Sequence, residues 1–165
     1  MTNILFPTDF TTSSMQLAEK AIQALDIRSA NIIFFHAFEQ PSSEFDLLVP
    51  GRKKPYADVL NDSFRQACKQ LKEQYPKAIQ KICFKCLEGS STRLFRNFID
   101  ANEIDLIICP DEFSHVPVNK LSVDPRPLFM KSGIKVIRTL YYKKQEIVFE
   151  TVNGTEQIQL TLAAN

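Results

Sequence analysis

The chain has no tryptophan, and only four glycines and two histidines among its 165 residues. So few glycines, all far apart, exclude a Gly-x-Gly-x-x-Gly dinucleotide fingerprint. The two histidines, His36 and His115, lie far apart in sequence with no Cys-His or Ser-His-Asp logic around them, so no catalytic set can be assembled and a non-enzyme is expected. No apolar run reaches eighteen residues, so no membrane span is expected. No basic stretch followed by a long apolar run opens the chain, so no signal peptide is expected either. An excess of one charge is also missing. Twenty basic and nineteen acidic side chains leave a net charge of +1, which provides no global field for DNA, RNA or membrane. The clusters Arg52-Lys53-Lys54 and Lys143-Lys144 read as solvated loop charge. The four cysteines sit within or beside apolar segments, as reduced thiols in a cytoplasm do.

What is present is an alternation. Short apolar runs recur at Ile4-Leu5-Phe6, Ile32-Ile33-Phe34-Phe35, Ile82-Cys83-Phe84, Leu106-Ile107-Ile108-Cys109 and Ile134-Lys135-Val136-Ile137. Continuous runs of this kind mark strands covered on both faces, as in a parallel sheet. Between them lie amphipathic helix patterns. Leu17, Ala18, Ala21, Ile22 and Leu25 make the first apolar stripe, and Leu60, Phe64, Ala67, Cys68, Leu71 and Tyr75 the second. Leu94, Phe95, Phe98 and Ile99 follow a cap at Ser90 or Ser91, and a short fourth helix begins at Asp124 with Pro125 and Pro127 in its first turn. The pattern predicts an α/β fold with a five-stranded parallel doubly wound sheet. Ligands in such sheets bind beyond the carboxyl ends of the strands, and Asp9 stands at the end of the first.

Residues 41–56 carry three prolines and a glycine and read as a long loop, either a lid or a plain surface excursion. After Arg138 the pattern changes to strict alternation around Asn153-Gly154, a strong hairpin signal. It predicts an extra C-terminal β-hairpin in which Phe149 faces Ile158 and Ile147 faces Leu160. The expected organisation is an α/β domain over residues 1–140 and a hairpin extension over 141–165, docked on its own sheet or on a second subunit.

The segments "NILFPTDFTTSSMQLAEKAIQAL", "NIIFFHAFE", "CLEGSSTRLFRNFIDANEIDLIIC" and "SVDPRPLFMKSGIKVI", in that order, resemble the universal stress protein family over about residues 1–140. The resemblance implies a five-stranded α/β fold of the adenine nucleotide alpha hydrolase-like kind and a homodimer. One branch of the family binds ATP through Gly-x2-Gly-x9-Gly followed by Ser or Thr, because only glycine lets backbone N–H groups close on phosphates. Here Pro110, Phe113 and Leu121 fall at the three glycines, and only Ser122 matches. The loop between Phe113 and Leu121 is shorter than in that branch, Pro110 and Pro117 carry no N–H, and Asp111 and Glu112 repel anions. The phosphate cradle is therefore expected to be lost, with no cofactor bound. The nucleoside half of a degenerate pocket for AMP or ATP maps by resemblance to Asp9 and Ala37, with Pro7 and Thr8 lining the same turn. Alternatively, the Asp9 carboxylate only braces the Thr11–Ser14 turn.

Other chemistry is weakly encoded. Cys83-x-x-Cys86 lies on a predicted strand, where residues three apart face opposite ways, so both thiols are expected to pack rather than pair. Cys68 and Cys109 read as small core residues, with Cys109 near a pocket rim. His36 is expected in the core bonded to backbone, and His115 exposed in its loop. A response-regulator phospho-acceptor site lacks its aspartate after the third strand, and Lys135 falls inside the fifth. Asp111, Glu112 and His115 are the only residues a metal-assisted nucleotide hydrolase would find in the fourth-strand loop. The sequence thus points to a non-enzymatic stress-protein module working through an unidentified protein partner, or to a small-ligand sensor.

Overall fold

In a computed structural model, residues 2–40, 60–143 and 146–152 are described. Strand β1 (Thr2–Pro7) leads into α1 (Thr12–Ala24), followed by β2 (Ala30–Phe38), α2 (Asp62–Gln74) and β3 (Ile79–Glu88). Then come α3 (Thr92–Ala101), β4 (Leu106–Ile108), β5 (Ser122–Val123), α4 (Arg126–Met130), β6 (Lys135–Lys143) and β7 (Glu146–Val152). The sheet runs β3-β2-β1-β4-β6-β7, parallel through β6, with β7 antiparallel at the end of this order among the described residues.

Side-chain alternation along the strands divides the core in two. Ile4 and Phe6 of β1 and Ile32 and Phe34 of β2 meet Met15, Ala18 and Ile22 of α1 and Phe64 and Leu71 of α2. Leu5, Ile33, Phe35 and Ala37 point the other way, onto Phe95 and Ile99 of α3 and Leu128 and Phe129 of α4. Helices on both faces force strands that are apolar throughout, so the continuous apolar runs appear in the sequence. Local signals end the helices where the residues demand it. Asn61 and Ser91 cap α2 and α3 by accepting the N–H groups of Phe64 and Leu94. At the β3–α3 turn Gly89 has φ +126°, and an added Cβ would stand 2.7 Å from Leu94 Cδ2, so this glycine answers to both conformation and space.

Two features differ from expectation. Strand β6 crosses the boundary expected at residue 140 and runs on to Lys143, and β7 folds back onto β6, with Leu140 opposite Phe149 and Tyr142 opposite Ile147. The free edge of a parallel sheet is an unpaired row of N–H and C=O groups, and the alternating segment satisfies that row directly. The pairings expected across Asn153-Gly154 lie outside the described residues, as does the loop 41–56 with Arg52-Lys53-Lys54. The second feature is β5. It pairs antiparallel with the last residues of β2, Ala37 opposite Val123 and Phe38 opposite Ser122. Because β3 already holds the other side of β2, β5 fills the lane that β1 leaves at Pro7.

Candidate functional site

The carboxyl ends of β1, β2 and β4 converge with the loop 110–121, the place where sheets of this type bind ligands. The first contributor is the turn after β1. Phe10 is left-handed at φ 62°, a costly conformation for an aromatic residue. Its ring is held in return by Phe64, Phe84 and His36 at centroid distances of 5.5, 4.9 and 5.4 Å. Thr8 donates its N–H to the Phe35 carbonyl at 2.9 Å, tying the turn to β2. Asp9 is buried, and its Oδ1 accepts from Thr11 N–H at 3.1 Å, Thr11 Oγ1 at 2.6 Å and Ser14 Oγ at 2.9 Å. One carboxylate oxygen of Asp9 therefore braces its own turn and the start of α1, as the alternative reading of its sequence holds.

His36 lies at the centre of the second group. Its Nδ1 bonds the Thr8 carbonyl, which can only accept, so Nδ1 carries the hydrogen. In the neutral ring Nε2 is then an acceptor, and the Ser122 hydroxyl donates to it at 3.1 Å. Ser122 Oγ in turn accepts the Val118 and Asn119 N–H groups at 3.0 and 3.3 Å. Every proton in this chain is assigned by its partners. The ring packs between Phe10 and Phe38, the latter at 4.6 Å, with the His115 ring at 5.7 Å. His115 is not exposed as expected; it is turned inward and half-buried, with Nε2 buried and without a hydrogen-bond partner among the described residues. Burial lowers the pKa of both rings, and for His36 the nearby His115 lowers it further, against Thr8 and Asp9 which raise it.

The third contributor is the loop itself. Asp111 N–H is taken by the Arg138 carbonyl, Phe113 N–H by Pro110, Leu121 N–H by the Asn119 side chain and Ser122 N–H by Asn119. With Val118 and Asn119 committed to Ser122, these N–H groups are satisfied within the chain and are not offered to an anion. The three loop residues considered for metal-assisted hydrolysis are separated. Asp111 pairs with Arg138 at 2.7 Å, Glu112 is exposed and His115 faces His36. No cluster of potential metal ligands occurs among the described residues.

Of the six candidate residues, Asp9 and Pro110 line a cleft of about 410 Å³ between α1 and the loop. Pro7 and Thr8 lie buried behind it, Ala37 is covered by β5, and Ser122 is turned onto His36. His36 is buried and bonded to the Thr8 carbonyl, as its sequence context led one to expect; sequence reasoning missed the bond from Ser122, the packing of His115 against His36, and Lys20, which lines the same cleft from α1. The cysteines behave as packing. Cys83 packs against the core formed with α3 and α4, and its strand partner is Ile33, whereas Cys86 is paired with His36 on the opposite face. Burial pushes the Cys68 thiol up to about 11 and Cys109 up to about 12, far from a reactive thiolate.

A family model described as the universal stress protein family matches residues 1–111. Among solved structures, the hypothetical protein PH0823 is similar at 16% identity, covering 82% of this chain and 92% of that one, with a TM-score of 0.52. The universal stress protein UspA from Lactobacillus plantarum is 16% identical over 83% of this chain and 96% of its own, with a TM-score of 0.47. A universal stress protein solved in complex with cAMP is 16% identical, covering 84% and 95%, at 0.43. No curated protein matches the sequence. At this identity the structural likeness speaks to the fold.

Proposed function

The chain belongs to the universal stress protein family, and from that premise we propose that it is a non-enzymatic module that binds no ATP and acts in a stress response as a homodimer, through protein contacts. The observation that carries the reading is the arrangement at the carboxyl end of β2. His36, locked between Thr8 and Ser122, and β5, bonded along Ala37 and Phe38, occupy the region where the family resemblance would put a nucleoside. The satisfied amides of the loop 110–121 support the same reading at the phosphate end. A buried network whose donors and acceptors are already matched offers a ligand little to gain.

The cleft beside Asp9 favours a second reading, a sensor of adenosine, AMP or ATP. Thermal unfolding against a nucleotide panel separates the two. We expect no stabilisation by AMP or ATP at millimolar concentration. A ligand at a hundred times its dissociation constant stabilises by about 2.7 kcal/mol, so a shift that disappears in Asp9→Ala overturns the first reading. The dimer is tested by light scattering on a sizing column. We expect twice the 18.9 kDa chain mass, and a monomer at micromolar concentration sinks that part. A border strand is a natural seam for a second copy, and among the described residues β7 holds that position.

A further inference from the structure

The cleft between α1 and the loop 110–121 has a charge pattern that nothing in the fold uses. Asp9 is only 9% exposed as a residue, and the hydrogen bonds to its carboxylate all fall on Oδ1; Oδ2 has no donor among the described residues. Oδ2 is not among the buried unsatisfied atoms of the described residues, so it opens into the cleft, where a ligand's donor can reach it in place of water. Along the same wall Ser13, Leu17 and Lys20 follow one another at helical spacing, so Lys20 stands about 10 Å further down the axis from the Asp9 end. Lys20 is exposed and has no ion pair among the described residues. The lining also carries the apolar side chains of Leu17, Leu140, Phe113 and Val116 beside Gln16 and Ser114, and Val116 is an exposed large hydrophobic residue. Glu112 adds a second carboxylate on the loop wall.

We propose that this cleft binds a short apolar zwitterion of about dipeptide size, its ammonium at Asp9 Oδ2 and its carboxylate at Lys20. Its hydrophobic side chains lie over Leu17, Leu140, Phe113 and Val116. A volume of about 410 Å³ suits a molecule of this size. The carboxylate end needs no backbone cradle, because Lys20 provides a mobile point charge. The inference rests on the reading that nucleotides no longer enter here.

Titration calorimetry of the full chain with leucyl-phenylalanine, its N-acetyl form and its C-terminal amide tests it. The free dipeptide is expected to bind, and each blocked form to bind at least tenfold more weakly. Lys20→Met is expected to weaken the free dipeptide about tenfold while leaving the amide unchanged. Glu112→Gln is expected to weaken the free form more than the N-acetyl form. Asp9→Asn probes the ammonium directly; if it loosens the turn, the Lys20 variant and the blocked ligands still decide. No heat at millimolar dipeptide, or equal binding of free and blocked forms, overturns the proposal. Binding of AMP in the parallel panel would instead overturn the loss of nucleotide binding, so the two failures are distinguishable.

Discussion

Replacing Phe35 by alanine is expected to lower the free energy of unfolding by about 3–5 kcal/mol, the range for removing a buried aromatic side chain. Phe35 is fully buried at the middle of β2, and its ring meets Phe95, Phe98 and Phe129 at 5.4, 5.0 and 5.8 Å. Those three rings come from both helices on that face, so one truncation loosens α3 and α4 together. Rigid β-strand backbone on one side and two helices on the other give the cavity little freedom to collapse, which places the cost near the upper end. Urea unfolding at neutral pH reads it as a lower midpoint with an unchanged slope. The Phe35 carbonyl still accepts from Thr8 in the variant, so the turn at Asp9 is expected to hold its shape. A loss below about 1 kcal/mol means the helices do not pack on Phe35 as described.

The second large effect lies in His36 and depends on pH. Its neutral tautomer donates to Thr8 and accepts from Ser122, whose oxygen holds two loop amides. A proton added at Nε2 would meet the Ser122 hydroxyl hydrogen, so Ser122 must turn away and find another acceptor. Burial lowers the pKa of His36 and of His115 in the folded chain relative to the ordinary value near 6.5. The unfolded chain therefore takes up protons first. Above the unfolded value both states are neutral and the two rings contribute nothing to the slope. As the pH falls below about 6.5, stability declines until the folded pKa values are passed, by at most about 1.4 kcal/mol per pH unit for each ring. Asp9 is the acid nearest the pair on the β1 turn, Asp124 and Arg126 face His115 from α4 and its approach, and Asp124 is held below its usual range by Arg126, so none of the three reverses this sign. Denaturation at pH 7.5 and 5.5 is expected to show the decline in the parent chain and a smaller one in His36→Gln. His36→Ala is expected to cost about 1–3 kcal/mol even at pH 7.5, because the Thr8 carbonyl and Ser122 lose a buried partner. Identical pH slopes for parent and His36→Gln would place the titration elsewhere.

Much of this architecture was legible because its causes are local. Ile32 to Phe35 read as a strand covered on both faces, the Leu60 to Tyr75 stripe as a helix, and Ser91, one of the two caps the sequence offered, starts α3. Loss of the glycine loop was also readable, since Pro110 and Pro117 lack N–H groups wherever the fold puts them. The division of the Asp9 carboxylate was not. Oδ1 answers to neighbours two and five residues away, but the opening of Oδ2 onto the cleft depends on where the loop 110–121 lies.

The order of strands and helices, the absence of glycine at Pro110, Phe113 and Leu121 and the weakness of the Cys-x-x-Cys pair were thus set by the sequence itself, through steric and periodic rules that act over a few residues. The tertiary structure alone decided that β5 occupies the lane beside Ala37, that Ser122 and His36 meet across 86 positions, and that the alternating tail pairs with β6 before any turn at Asn153. Such pairings join segments whose local patterns are indifferent to their partner. They are selected only when the sheet presents an open lane or edge and its unpaired backbone groups must be satisfied.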